Sequence, residues 1–109
     1  EHTSRGLGDV YKRQDFNNAV HSFLKTIRIR PEDSNALNML GVAFFKKGNI
    51  KLSISYYSKA LELNPQNEKI YNNLAIAYSK SGNLEGALST YLKYLKIDSN
   101  KIYSDSIDK

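Results

Sequence analysis

The sequence predicts an all-α fold in which antiparallel helical hairpins stack side by side as an alpha-alpha solenoid. The first observation is an internal repeat, because residues 34–67 align with residues 68–101 at ten identical positions after a shift of 34. The second is that apolar residues in each unit recur every three or four positions, which places them on one face of a helix. A fixed period of this length is typical of stacked supersecondary units. The identical residues of the first unit are Asn38, Leu40, Ala43, Lys46, Gly48, Asn49, Ser55, Tyr57, Lys59 and Leu61.

Each unit is predicted to contain two helices joined by a short reversal. Gly48 and Asn49 lie between the two apolar faces, and both residue types tolerate a positive φ, so the chain can end one helix there and turn into the next. Pro65 closes the second helix because proline cannot continue one. Residues 32–34, Glu-Asp-Ser, are predicted to supply capping residues and first-turn negative charge for the helix that follows, and Asn67 with Glu68 does the same for the next unit. This pattern predicts helices near 15–29, 34–47, 50–63, 68–81 and 84–97.

Two positions on the predicted core faces hold small residues. Gly41 aligns with Ala75 in the first helix of the next unit, and Ser53 aligns with Ala87 in the second helix. Small side chains at these places let two helix axes approach closely. Each hairpin still leaves one side of its apolar face bare, so a neighbouring hairpin is expected to cover it.

The positions that define the hairpin form one spaced set in each unit. In residues 34–67 the set is Leu37, Leu40, Gly41, Phe44, Ser53, Tyr57, Ala60 and Pro65. The next unit supplies Tyr71, Leu74, Ala75, Tyr78, Ala87 and Tyr91, and the upstream half-unit supplies Ala19, Phe23, Thr26 and Pro31. These residue types at these spacings resemble the tetratricopeptide repeat family, which implies a right-handed superhelix. The resulting domain comprises a partial repeat at 15–33 and complete repeats at 34–67 and 68–101.

The second complete unit departs from the family pattern near its end. Tyr94 stands where a small residue is usual, and Ser99 stands where proline is usual. The bulky side chain of Tyr94 occupies a position that normally contacts the next hairpin. We therefore expect the stacking to change at this point, and residues 102–109 to be a truncated unit or a capping segment.

The first residues do not fit the repeat. Residues 1–14 include Gly6 and Gly8 and show no helical apolar period, and residues 9–14 resemble the translated end of a sequencing-library adapter. We predict that residues 1–14 are a non-native or disordered tail, the alternative being a genuine N-terminal tail. The first unit then lacks its first helix, so the chain is expected to be a piece of a longer protein.

Residue types that enzymes use are sparse in this sequence. Cysteine is absent, which excludes disulfides and thiolate metal sites, and no apolar run reaches the roughly 20 residues of a membrane span. His21 stands alone beside an apolar stripe and is interpreted as a surface histidine. Glu32 and Asp33 abut at a helix start, where capping explains them. We expect no catalysis, no cofactor and no metal site.

The composition raises the question of nucleic acid binding. The formal net charge is +5 and the chain has eight tyrosines. However, Tyr57, Tyr71, Tyr78 and Tyr91 all lie on predicted core faces, so packing explains them more simply than base stacking. The positive charge is spread along the chain. We do not expect a nucleic acid ligand.

The remaining candidate for a functional site is the concave surface of the stack. In stacked hairpins the first helices of successive units line the concave side, and the family resemblance assigns the inward positions. They are Asn35, Asn38, Val42, Phe45 and Lys46, then Lys69, Asn72, Ile76, Ser79 and Lys80. Val42, Phe45 and Ile76 are apolar yet not required for the predicted hairpin core, which indicates a contact strip. The asparagines suit a peptide backbone, and the lysines favour an acidic ligand.

The predicted function is protein–protein recognition by a scaffold or adapter that holds a peptide segment in its concave groove. One alternative is that the strip is only a mildly basic solvent face. Another is that the repeats select substrates for a larger enzyme, such as a glycosyltransferase or a signalling kinase. Because about three units are usually needed to bury enough shared surface, we also expect marginal stability or self-association of this chain.

Overall fold

The described part of the chain folds into a row of five helices. The structure is a computed structural model that describes the backbone of residues 2–107 and the side chains of residues 13–100. Its elements are α1 (His2–Ile29), α2 (Ser34–Lys47), α3 (Ile50–Leu63), α4 (Glu68–Lys80) and α5 (Leu84–Ile107). Helices adjacent in sequence pack against each other, and α2 also contacts α4. Over the described residues this confirms the predicted all-α stack: α2–α3 and α4–α5 are the two hairpins, and α1 lies against α2.

The three inner helices begin and end within one residue of the prediction, whereas the outer two are longer. The first helix begins at His2 rather than near residue 15, and the last ends at Ile107 rather than near residue 97, so these two predicted boundaries are wrong. Ser99 occupies the place at which Pro65 follows α3, and serine does not break a helix as proline does. No proline precedes Pro31 in the sequence, so α1 meets no such break upstream.

Both predicted end segments lie along these extensions. Residues 2–14 form the first half of α1, and residues 102–107 continue α5. The non-native origin of the first segment and the capping role of the second stay predictions. Residues 1, 108 and 109 lie outside the described residues.

The two hairpins reverse at glycine, as predicted. Gly48 and Gly82 adopt φ values of 93° and 85°, in the left-handed region that favours glycine. At the first reversal the Asn49 N–H donates back to the Phe44 carbonyl at 2.9 Å, which satisfies the end of α2. The asparagine does not share the positive φ: Asn49 has φ −88°, and its Oδ1 accepts from the Leu52 N–H at 3.2 Å. Glycine therefore ends one helix and asparagine caps the next.

The first helices of the two units are capped by the residues that the sequence indicated. Asp33 caps α2 and Asn67 caps α4, each through a side-chain oxygen that accepts a 3.0 Å hydrogen bond from a backbone N–H of the first turn. The Tyr71 hydroxyl also donates to the Pro65 carbonyl at 2.8 Å. This bond ties α4 to the turn that follows α3, so the connection between the two hairpins is held at a defined angle.

The core lies where the two hairpins meet. Its buried cluster consists of Leu37, Tyr57, Ala60, Ile70, Leu74 and Ala77. Leu40 is also fully buried, so both members of the equivalent pair Leu40 and Leu74 point inward, as the period predicts. The prediction that Tyr91 lies on a core face is wrong, because Tyr91 is 52% exposed whereas its equivalent Tyr57 is 3% exposed. The outer side of α5 has no covering helix among the described elements, so Tyr91 does not join the core.

The tightest packing between α2 and α3 is at Gly41. A Cβ atom at this position would come within 2.5 Å of Tyr57 Cδ1 and within 3.0 Å of its Cζ, distances at which atoms overlap. The Tyr57 ring therefore lies directly on the backbone of α2. This is the physical reason for the small residue that the sequence places here.

We predict that Gly41→Ala lowers the free energy of unfolding by up to about 2 kcal/mol. Alanine favours a helix over glycine by about 1 kcal/mol, but overpacking a buried contact costs about 1–3 kcal/mol, and the Tyr57 ring is too enclosed to move away freely. Urea denaturation followed by circular dichroism measures the change. The control Ser55→Ala, on the exposed face of α3, should stay within about 0.5 kcal/mol. A gain in stability from Gly41→Ala would contradict the close contact.

Tyr57 is a buried ionisable residue whose pKa departs from its ordinary value. Burial raises the pKa of Tyr57 above its ordinary value of 10.0, and the Ser53 hydroxyl offsets part of that rise. Ser53 Oγ is itself fully buried and makes no hydrogen bond of good geometry with the described residues. Its effect on Tyr57 is therefore that of a nearby dipole rather than of a well-formed bond.

This pKa predicts a loss of stability at high pH. Because folding raises the pKa of Tyr57, the unfolded chain releases the proton first, so the contribution is complete below about pH 9 and is lost as pH rises through 10 and beyond. The measurement is the free energy of unfolding of the native chain minus that of Tyr57→Phe, from pH 7 to 11. A difference that stays flat across this range would contradict the burial of the hydroxyl.

Candidate functional site

The α4 half of the predicted contact strip lies open on the surface. Lys69, Asn72, Ile76, Ser79 and Lys80 are all exposed. Ile76 is 48% exposed, and Asn72 and Lys80 flank it one turn away on either side. Ile76 thus forms an apolar patch between two side chains that can donate hydrogen bonds. A ligand can reach all three residues. The binding role of these residues stays a prediction.

The α2 half of the strip is more enclosed. Asn35 and Lys46 are exposed, whereas Asn38, Val42 and Phe45 are half-buried. Val42 and Phe45 pack against the buried core cluster, so the prediction that the hairpin core does not need them is wrong. The cause is the position of α2, which has α1 on one side and α4 on the other. Substitutions of these two residues therefore alter stability as well as any contact with a ligand.

One of the predicted ligand-binding asparagines already has a partner. The Asn73 side-chain N–H donates to Asn38 Oδ1 at 3.1 Å, which joins α2 to α4. Asn38 is thus partly used inside the stack, whereas its equivalent Asn72 is exposed. Of the two, Asn72 is the one whose amide is free to meet a peptide backbone.

A groove between α1 and α2 lies beside the α2 half of the strip. Its volume is about 830 Å³, and we call it the α1–α2 groove. Its apolar lining consists of Phe16, Ala19, Phe23, Met39, Val42 and Ala43. Val42 also belongs to the predicted strip, so the groove and the strip form one continuous surface. A volume of this size lies within the range of about 300–1,000 Å³ typical of ligand sites.

Positive charge surrounds the α1–α2 groove. Arg13, Lys46 and Lys47 line it together with one acid, Asp15. The Lys47 ammonium also lies 5.2 Å from the centre of the Phe16 ring, a cation–π contact that places the charge above an apolar wall. The charge at the mouth of the groove is therefore positive, and it would attract an anionic group at low to moderate salt.

The opposite end of the strip leads to a smaller concavity between α4 and α5. It measures about 400 Å³, and its lining includes Lys69 and Asn72 from the strip. Tyr91 and Tyr94 form its other wall, with their rings stacked at 6.0 Å between centroids. An extended ligand that follows the strip would thus pass from the α1–α2 groove to a wall of two aromatic rings.

Sequence reasoning assigned the α1 residues of the groove to packing and not to a binding surface. Ala19 and Phe23 are equivalent to Ser53 and Tyr57, which α2 buries. In α1 the same positions are only half-buried and line the groove instead. The available signal was the lack of a helical apolar period in residues 1–14, so no first-helix pattern pairs with these positions.

The described residues also bear on metal binding and on membrane insertion. His, Asp and Glu side chains there form no group of three that could hold a metal ion. None of the described helices combines the length and the apolar character needed to cross a membrane. His21 is exposed on α1. The concave surfaces on either side of α2 and α4 are therefore the features that a function must explain.

Two family matches cover the repeats. Residues 42–82 match the family described as "TPR repeat", and residues 68–101 match the family described as "Tetratricopeptide repeat". The two matches overlap and together extend from residue 42 to residue 101, more than half of the 109 residues. The chain belongs to the tetratricopeptide repeat family. No curated protein matches it.

Solved structures of one protein, MamA, share the fold. The structure named "MamA MSR-1 C2" is 28% identical with a TM-score of 0.73, over 89% of this chain and 56% of that chain. "MamA AMB-1 C2221" is 29% identical with a TM-score of 0.70, over 84% of this chain and 54% of that one. "Crystal structure of MamA" has a TM-score of 0.78 at 19% identity, over 85% of this chain and 54% of that one, and shows the fold alone.

The comparisons bear on the function at a general level. This tetratricopeptide repeat chain spans little more than half the length of those solved chains. Its repeats and its fold are those of protein-interaction scaffolds. The chain is therefore a protein-interaction module.

Proposed function

We propose that this tetratricopeptide repeat chain is a scaffold or adapter that holds an acidic peptide segment along α2 and α4. The observation that carries the proposal is the α1–α2 groove, about 830 Å³ in volume, which shares Val42 and Lys46 with the predicted strip. A peptide laid on the strip can insert one large apolar side chain into this groove. The same peptide then runs over Ile76 on α4.

Burial of the inserted side chain supplies most of the affinity. The groove has six apolar residues in its lining, and a leucine or phenylalanine that leaves water gains about 1.5–3 kcal/mol. That corresponds to roughly a 10- to 100-fold gain in affinity. A charged side chain in the same place would lose its hydration without a buried counter-ion. The groove therefore selects an apolar anchor.

Charge and hydrogen bonding select the rest of the segment. Arg13, Lys46 and Lys47 at the groove, with Lys69 and Lys80 on α4, face the ligand with a positive surface. Acidic residues beside the apolar anchor complement that surface, and their contribution falls as salt rises. Exposed Asn72 can both donate to and accept from a peptide bond.

The proposal assigns binding and no reaction to this chain. The exposed His21 lies on α1 among residues that do not suggest acid–base chemistry. The alternative, in which the repeats select substrates for a larger enzyme such as a glycosyltransferase or signalling kinase, would use the same groove and strip. In that case too this chain would bind the substrate, and another part of the enzyme would catalyse the reaction.

We predict the outcome of a selection of random 12-residue peptides displayed on phage against the immobilised chain. Selected peptides should combine a leucine or phenylalanine with Asp or Glu nearby, and fluorescence anisotropy should give their dissociation constants. Ala19→Trp fills the groove, and Ile76→Glu repels the acidic segment. Each should weaken binding at least about tenfold, because each removes a contact worth more than about 1.4 kcal/mol.

The matched control is Leu52→Glu. Leu52 is 38% exposed on α3, which carries no residue of the strip, so Leu52→Glu introduces the same charge away from the strip and should leave binding unchanged. Circular dichroism should show equal helicity in all variants. Peptides without acidic residues, or affinities that neither Ala19→Trp nor Ile76→Glu changes, would contradict the proposal.

A further inference from the structure

The last helix carries an apolar stripe that its hairpin leaves exposed. Five large side chains on α5 are between 40% and 70% exposed: Leu84, Leu88, Tyr91, Leu92 and Leu95. Their spacing places them within one arc of the helix. Thr90, which is buried, and Ala87, which is half-buried, lie on the opposite arc, towards α4. The helix α5 thus has two apolar faces, of which the hairpin uses one.

The repeat shows that such a stripe is normally covered. The positions in α3 that correspond to Leu84, Leu88 and Leu95 are Ile50, Ile54 and Leu61, and all three pack against the buried core. A row of exposed leucines on a soluble helix is therefore an incomplete interface rather than ordinary surface. A shallow concavity of about 400 Å³ runs along it, with Leu88 and Leu92 in its lining.

Two departures from the repeat indicate that the cover is not another hairpin packed in the same way. Ala60, which is fully buried where α3 meets α4, is replaced in α5 by Tyr94, and the added ring prevents an equally close approach. The counterpart of Ser58 is Leu92, which widens the apolar stripe. In addition, α5 continues to Ile107 through the place where α3 turns. The stripe suits a helix that packs along its length.

We propose that two copies of this chain pair through the α5 stripe, with their α5 helices antiparallel. Leu84, Leu88, Tyr91 and Leu95 are separated by four, three and four residues, the spacing of a two-helix seam. In the antiparallel arrangement Leu84 of one copy faces Leu95 of the other, and Leu88 faces Tyr91. The two-fold axis between the copies repeats each of these contacts. Both stripes are then used in the dimer, so no third copy can add to the interface.

The charges beside the stripe favour this orientation. Glu85 and Lys96 lie on the same edge of the stripe, three helical turns apart, and both line the shallow concavity. Antiparallel helices place each Glu85 beside Lys96 of the second copy, whereas in parallel helices this edge of one copy lies across the seam from the same edge of the other and the two charges do not pair. The buried area, on the order of 1,000 Å² over both copies, reaches the lower limit of specific interfaces. A dimer with a dissociation constant in the micromolar range is therefore expected.

This surface overlaps the path proposed for the peptide only at Tyr91, which also lines the concavity between α4 and α5. The stripe lies on α5, whereas the peptide anchor enters between α1 and α2. The two proposals can fail independently. Dimerisation is measured in the absence of peptide, whereas peptide binding is tested with substitutions of Ala19 and Ile76, which lie outside α5. The pairing would present two peptide sites in one particle, which raises the avidity for a ligand that carries two segments.

Sedimentation equilibrium of the full chain from 5 to 500 μM tests the pairing. A monomer–dimer equilibrium that saturates at the dimer is expected. Leu88→Glu should raise the dissociation constant at least about 100-fold, because the two-fold axis introduces the charge twice into an apolar contact. The control Leu52→Glu, an exposed leucine on α3, should dimerise as the native chain does.

A charge exchange tests the orientation. Glu85→Lys should weaken the dimer, and the double variant Glu85→Lys with Lys96→Glu should restore it, because antiparallel packing then pairs the exchanged charges. Circular dichroism should give equal helicity for every variant. The proposal is overturned if the chain stays monomeric at 500 μM or if Leu88→Glu does not weaken association. Growth beyond the dimer, which would indicate end-to-end stacking of α5 on the α1–α2 groove, overturns it as well.

Discussion

The contact of the Tyr57 ring with the backbone of α2 at Gly41 sets the geometry on which the other features depend. Because a Cβ atom at Gly41 would overlap the ring, only glycine lets α2 and α3 approach this closely. The close approach brings Tyr57 into one buried cluster with Ile70, Leu74 and Ala77 of α4. The first hairpin therefore provides part of the core of the second, and the two are stable as a pair rather than separately.

The same repeat explains why apolar surfaces stay exposed at the two ends of the stack. Equivalent positions are buried in the middle of the stack and open at its two ends: Tyr57 is 3% exposed, whereas Tyr91 on α5 is 52% exposed. At the other end Phe23, the equivalent in α1, lines the α1–α2 groove. Equivalent positions form core in one unit and binding surface in another, because a helix covers them in the first case and leaves them open in the second.

The period and the local turn chemistry were sufficient to predict the hairpins. Gly48 and the N-cap of α2 depend on short-range backbone rules, so a single sequence reveals them. The ends were harder, because α5 continues past Ser99 to Ile107, and a continuation follows from a missing break rather than from a signal. The half-burial of Val42 and the bond from Asn73 to Asn38 depend on how α1, α2 and α4 lie together. A pattern read along one helix does not contain that information.

Native-state amide hydrogen exchange tests the shared core most directly. If α2, α3 and α4 form one cooperative unit, the amides near Leu40, Tyr57 and Ala77 exchange slowest and with the same free energy, that of unfolding the whole stack. The outer turns of α1 and α5 then exchange faster. Slow amides in the α2–α3 hairpin with a free energy clearly different from those in α4 would mean that the hairpins open independently, and would contradict a core shared between them.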